Sequence, residues 1–163
     1  MMLIGKTGDT KVKCIGCALE KGDLGSDCEK IFETKNFVVS QDYETPIPGF
    51  MIVSSKKHIK GIEELNENER KEFIDLLFNV RRAISSLGIK NVYIIQKEDS
   101  IEYVSHFHAW LFPRYPWMME KFGRKISGVS KIIEYARKNM TSEKHLLELK
   151  DASEKIKANL MKN

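Results

Sequence analysis

Cysteine and histidine are scarce in this chain, and their spacing is informative. Two of its three cysteines stand as Cys14-Ile15-Gly16-Cys17, and two of its four histidines stand as His106-Phe107-His108 inside an apolar run. A Cys-x-x-Cys pair offers two soft ligands from a turn, whereas a closed tetrahedral zinc site wants four, usually cysteine and histidine. No second cysteine pair exists, so a metal would take its remaining ligands from His58 and from His106 or His108. A redox couple or two free thiols is the alternative reading of the cysteines, and Cys28 is left over as an inert thiol. Residues i and i+2 of a strand share a face, so His106 and His108 can address one site. They can both ligate a metal, or one can ligate while the other acts as a base or nucleophile, or both can simply line a wet strand face.

These residues need elements to position them. Before residue 60 the pattern is short and β-like: Glu29–Thr34, Phe37–Gln41 and Phe50–Ser54 are brief β-branched or aromatic runs separated by punctuation such as Thr45-Pro46-Ile47-Pro48-Gly49. After His58 the period changes. Phe73, Leu76, Leu77, Val80, Ile84 and Leu87 recur at helical spacing, with Asn66 and Glu69 placed as an N-cap and its partner and Gly88 as the stop. Val92–Gln96 and His106–Phe112 return to strand chemistry, giving the order β-β-β-α-β-β. Two further helices follow, one carrying Ile126, Val129, Ile132, Ile133 and Ala136, the other Leu146, Leu149, Ala152, Ile156 and Leu160. The expected fold is α+β: one domain over 1–163, a core over about 14–114 and a helical extension over about 115–163 packed on the sheet.

Composition agrees with a compact fold. The chain has 163 residues, 42% hydrophobic and 31% charged, which excludes a collagen, a disordered tail protein and a membrane bundle. No apolar run approaches the roughly 20 residues needed to span a bilayer. Residues 1–13 mix Lys6, Asp9, Lys11 and Lys13 with glycines, unlike a secretory signal, and three cysteines cannot close a disulfide framework, so the cytoplasm is the expected compartment. The net charge is only +4, yet residues 114–139 hold seven basic side chains against Glu120 and Glu134. That segment could attract an anion or could be a solvated helix face.

Taken together, these stretches resemble the histidine triad (HIT) family. FMIVSSKKHI (residues 50–59) is similar to the family's strand and basic turn, and HFHAWLFPR (106–114) to its H-x-H-x-H signature closing in Pro-Arg. DYETPIPG (42–49) stands at the family's spacing upstream, and Cys14-x-x-Cys17 near the start. The resemblance covers about residues 14–114. It implies an antiparallel five-stranded sheet with one long helix, and a nucleophilic His108 that attacks the α-phosphorus of a nucleotide. It further implies structural zinc held by Cys14, Cys17, His58 and His106, ribose contact by Asp42, Tyr43 beside the base, and a homodimer. Arg114 and the basic segment after it would supply charge to the phosphates.

Two departures bear on activity. Trp110 stands where the family has its third histidine, and an indole can donate a hydrogen bond but cannot transfer a proton. A phosphate leaves as a stable anion without an acid, whereas an amine must be protonated, so a polyphosphate is the expected substrate over a phosphoramidate. Trp110 could equally fill a gap on the sheet. Residues 96–105 lack the glycine of the family's phosphate loop and include Glu98, Asp99 and Glu102, leaving Gln96 and Ser105 to replace some contacts. The expected function is hydrolysis or nucleotidyl transfer on nucleoside or dinucleoside polyphosphates through a nucleotidyl-histidine. The alternative is a non-catalytic nucleotide-binding or regulatory protein. Nucleic-acid end processing lacks a second zinc module or an aromatic-rich basic surface, and neither nucleic acid nor membrane is an expected partner.

Overall fold

The computed structural model describes residues 2–3, 10–11, 14–23, 30–42, 44–98 and 106–162. A two-stranded antiparallel pair, β1 (Met2–Leu3) and β2 (Thr10–Lys11), precedes helix α1 (Ile15–Lys21). Strands β3 (Lys30–Glu33), β4 (Phe37–Gln41) and β5 (Met51–Ser55) follow, then helix α2 (Glu67–Ser85), β6 (Val92–Gln96) and β7 (His108–Pro113). The chain continues through α3 (Pro116–Phe122), α4 (Val129–Asn139) and α5 (Glu143–Leu160). The main sheet has the order β3-β4-β5-β7-β6, antiparallel throughout.

Helix α2 starts as its sequence predicts. Asn66 Oδ1 accepts the Glu69 N–H at 3.0 Å, and Glu69 Oε2 accepts the Asn66 N–H at 2.9 Å, so two helix-end donors are satisfied reciprocally. Phe73, Leu76, Val80, Ala83 and Ile84 form its buried stripe. Glu72 leaves that stripe to accept hydrogen bonds from Thr34 Oγ1, the Asn36 backbone N–H and Asn36 Nδ2, which pins α2 to the β3–β4 turn.

Strand alternation divides the core in two. On one face Val39, Met51, Val53, Ala109 and Leu111 pack with Phe73, Leu76 and Val80 of α2 and with Ile156 and Leu160 of α5. On the other, Phe50 and Phe112 pack with Ile47, Met118, Val129, Ile132 and Ala136, so α3 and α4 cover that end of the sheet.

Three differences from the sequence reading have local causes. Cys14 caps α1 and Cys17 sits inside it, so the pair lies at a helix start and not in a turn. A helix of seven residues is too short to display a period, which also hides α3, although Pro116 at its first position is a helix-start signal. β7 begins at His108, two residues later than expected, because the Phe107 N–H bonds to the Ile59 carbonyl at 2.8 Å outside the ladder. The helices after residue 114 pack on both faces of the sheet, α5 on the α2 face and α3 and α4 on the opposite one.

Ile156 therefore belongs to the main core. Truncating Ile156 to Ala should lower unfolding free energy by about 2–5 kcal/mol in urea titrations, while the transition stays single. A loss below about 0.5 kcal/mol would be the behaviour of a surface residue and would place α5 outside the core.

Candidate functional site

The cysteines and two histidines converge. Cys14 Sγ lies 3.4 Å from His106 Nδ1, Cys17 Sγ lies 3.3 Å from His58 Nδ1 and 3.6 Å from His106 Nδ1, and the four donor atoms all fall within 4.8 Å of one another. A tetrahedral ion with bonds of about 2.3 Å to sulfur and about 2.0 Å to nitrogen separates those atoms by roughly 3.5 Å, so the spacing fits such an ion. The donor set could hold a metal.

Each ligand is placed by its own element. Helix α1 offers Cys14 and Cys17 one turn apart, and the turn after β5 offers His58. Gly16 lets α1 approach: a Cβ there would stand 2.3 Å from His106 Cγ, far closer than van der Waals contact allows. His106 Nε2 donates to the Ser55 carbonyl at 2.6 Å, which turns the lone pair of Nδ1 toward the sulfurs. Burial lowers the His106 pKa, with the Ser55 bond acting against it, which favours the neutral ring that a metal ligand must offer. Burial and the neighbouring Cys14 push the Cys17 thiol up, so the charge of an ion is what would hold it as thiolate.

His108 takes a different part. Its Nδ1–H donates to the His106 carbonyl at 2.7 Å, which puts the ring's lone pair on Nε2. The register sets Ser54 beside His108 and Ile52 and Ile95 beside Trp110, so these side chains line one face. Trp110 stands 6.1 Å from the His108 ring, centroid to centroid, and meets Phe50 edge-on at 5.5 Å. The indole thus fills the sheet surface between the histidine and the second core.

Asp42 shares that face by alternation with Ser40, whose register partner Ile52 lies opposite Trp110. It is buried, and its Oδ1 accepts the N–H groups of Glu44 at 2.9 Å and Thr45 at 2.7 Å. Burial raises its pKa, opposed by the Thr45 hydrogen bond and the Arg137 guanidinium.

The structure does not bring every expected residue to His108. Gln96 pairs with Ala109, so the two-residue period puts it on the α2 face, where its amide donates to Glu98 Oε1 at 3.1 Å. Glu98 in turn accepts the Ile62 N–H at 2.8 Å. Arg114 is six residues beyond His108, about 20 Å along an extended chain. It is buried, donates Nη2 to the Gly123 carbonyl at 2.7 Å and lies over the Tyr93 ring at 4.6 Å. It is tied into the helical extension by those contacts. Tyr43 and Ser105 lie outside the described residues, as do Cys28 and most of the glycine-free stretch before the signature. Ser55 and Gly16 escaped the sequence reading, and Arg137 entered it only as one of the seven basic side chains of 114–139. Of the first two, only Gly16, a residue without a side chain between two cysteines, carried a signal.

Comparison with known proteins agrees with this geometry. Residues 24–117 match the HIT domain. An adenosine 5'-monophosphoramidase of Schizosaccharomyces pombe is 28% identical over 105 residues, covering 63% of this chain and 75% of that protein. A zinc-bound histidine triad family protein from Mycobacterium smegmatis superposes with a TM-score of 0.62 at 18% identity, over 91% of this chain and 94% of the other. A hypothetical histidine triad nucleotide-binding protein from Sulfolobus tokodaii gives 0.65 at 15% identity, over 91% and 93%. With more than half its length matched and the five-stranded sheet in place, the chain belongs to the histidine triad family.

Proposed function

We propose that this protein is a nucleotide hydrolase or nucleotidyl transferase that works through a covalent nucleotidyl-His108. The observation that carries the reading is the 2.7 Å bond from His108 Nδ1 to the His106 carbonyl, which fixes the tautomer and presents Nε2 as a nucleophile. Nε2 attacks the α-phosphorus, the P–N bond forms, and the bond to the leaving phosphate oxygen breaks. The ring then carries a positive charge, shared with an Nδ1–H that the His106 carbonyl still accepts. Water attacks the same phosphorus, the P–N bond breaks, and His108 departs as a neutral imidazole while the proton of the water passes to solvent. A second phosphate in place of water gives transfer.

The leaving group follows from Trp110. The Schizosaccharomyces pombe relative is named for a monophosphoramidate, whose amine needs a proton as it departs. Trp110 has none to give, which favours nucleoside or dinucleoside polyphosphates. Asp42 is the ribose contact in this reading, with Tyr43 beside the base. Trp110 also supports the second reading, a non-catalytic nucleotide-binding or regulatory protein.

Cys14, Cys17, His58 and His106 would hold structural zinc, whose chemistry is to fix His106 and, through its carbonyl, His108. We place the protein in the cytoplasm, where both described cysteines would stay reduced, as one domain with a core over about 14–114. Among the described residues no helix is long and apolar enough to cross a membrane. A homodimer is supported by Ile74 (60% exposed), Phe78 (62%) and Ile94 (52%). Arg81 of α2, reaching the Lys90 carbonyl, turns that side of the helix toward the β6 edge that carries Ile94.

Intact mass after brief incubation with nucleoside and dinucleoside polyphosphates, quenched at neutral pH, should show a nucleotidyl adduct on the native protein and none on His108→Ala. Binding without adduct or turnover would select the non-catalytic reading. Elemental analysis should find one zinc per chain. Gly16→Ala, which crowds His106, should weaken zinc binding at least about tenfold in chelator competition. Unchanged affinity would detach the glycine from the site, and metal-free protein with no thermal gain on adding zinc would remove the zinc assignment.

A further inference from the structure

The connection between β4 and β5 carries Asp42, and chain beyond residue 114 holds it from outside the sheet. Arg137 of α4 donates Nε to Thr45 Oγ1 at 3.2 Å and Nη2 to Glu44 Oε2 at 2.8 Å. The Tyr115 hydroxyl donates to the Pro48 carbonyl at 2.7 Å. Ile47 is buried among Met118, Val129, Ile132 and Ala136. The two residues that Arg137 grips, Glu44 and Thr45, are the same two whose N–H groups hold the Asp42 carboxylate.

We propose that Arg137 is a positioning residue for Asp42, so that the helical extension completes the nucleotide site by fixing the turn that aims this carboxylate at the ribose hydroxyls. The inference rests on reading Asp42 as the ribose contact. Arg137 lies 20 residues past the end of the HIT-domain match at residue 117, so the match does not include it. A turn closed only by Asp42 accepting two nearby N–H groups is a local motif that other backbone geometries can satisfy. A planar guanidinium bonded to both neighbouring side chains removes that freedom. Its fork and charge act together, because burial alone drives the carboxyl toward protonation and Arg137 opposes this. Among the described residues, Glu44 and Arg137 are the charged groups that bear on Asp42, and Glu44 acts in the opposite sense.

The test is calorimetric affinity for AMP or GMP, whichever binds more tightly, and for its 2',3'-dideoxy analogue, between pH 5 and 8. The native protein should prefer the ribonucleotide by at least about tenfold. Arg137→Ala should lose about tenfold on the ribonucleotide and less than about twofold on the dideoxy analogue, and Asp42→Asn should behave alike. The double variant should be no weaker than either single one, because both act on one contact. Arg137→Lys restores charge without the fork and should recover only part of the loss. Ribonucleotide affinity should fall as Asp42 takes up a proton, and that fall should begin at higher pH in Arg137→Ala. If Arg137→Ala does not fold, Arg137→Lys and Glu44→Gln carry the same comparison, each expected to lose affinity for the ribonucleotide alone.

Equal loss on both nucleotides, or none, with the native ribose preference intact, would overturn the role of Arg137 and leave Asp42 as the ribose contact. A native protein without ribose preference, or without affinity for either nucleotide, would overturn the reading of Asp42 and the proposal with it.

Discussion

His106 faces two sites at once, and the rest of the structure is arranged around that constraint. Its ring nitrogens are committed to Ser55 and to the cysteine pair, while its carbonyl oxygen accepts the His108 Nδ1–H. A peptide carbonyl is rigid relative to its own side chain to within the backbone torsions, so whatever seats the ring also seats the acceptor that orients His108. Residues remote from His108 therefore reach it through one residue. Gly16 admits the helix that brings the sulfurs, and β5 supplies the Ser55 carbonyl. Were Nδ1 of His108 free, the imidazole could flip or exchange tautomers, and the lone pair would no longer point from Nε2.

The second consequence is a division of labour along β7. Odd-numbered residues Ala109 and Leu111 are buried against α2 and α5, and even-numbered His108, Trp110 and Phe112 face the other way. Two chemistries are packed into one strand because its period is two. Trp110 marks the boundary on the second face, touching Phe50 of the apolar cluster while standing 6.1 Å from His108. In the proposed hydrolase or transferase, a bulky residue there with no proton to transfer would favour leaving groups that need no acid.

The elements legible in the sequence were those with enough length or periodicity to declare themselves. The Asn66 and Glu69 capping pair, the buried stripe of α2 and the five strands all follow from patterns a few residues long. The convergence of Cys14, Cys17, His58 and His106 was legible through their resemblance to the family, and the geometry brings their donor atoms together. What stayed hidden depended on partners far along the chain. The face of Gln96 is set by its pairing with Ala109, 13 residues away, and nothing within β6 records it. Arg114 follows a Pro in a segment of basic residues, yet its guanidinium is drawn under the extension by the Gly123 carbonyl and the Tyr93 ring. Charge alone does not distinguish it from the exposed lysines that follow.

The helical extension then has two tasks that its position separates. Helix α5 replaces solvent over the α2 face with Ile156 and Leu160, a contribution of burial that any apolar helix of the right length could make. Helices α3 and α4 do something less replaceable. Together with the Tyr115 just before them, they carry a hydroxyl, an apolar face and a guanidinium to three successive points on one turn, the Pro48 carbonyl, Ile47 and the Glu44–Thr45 pair. Burial against Ile47 alone would leave that turn free to rock about its apolar anchor. Hydrogen bonds on either side of the anchor resist such rotation, and only they have the directionality to do so. A turn held at three points has one orientation, and the acid at its start inherits it.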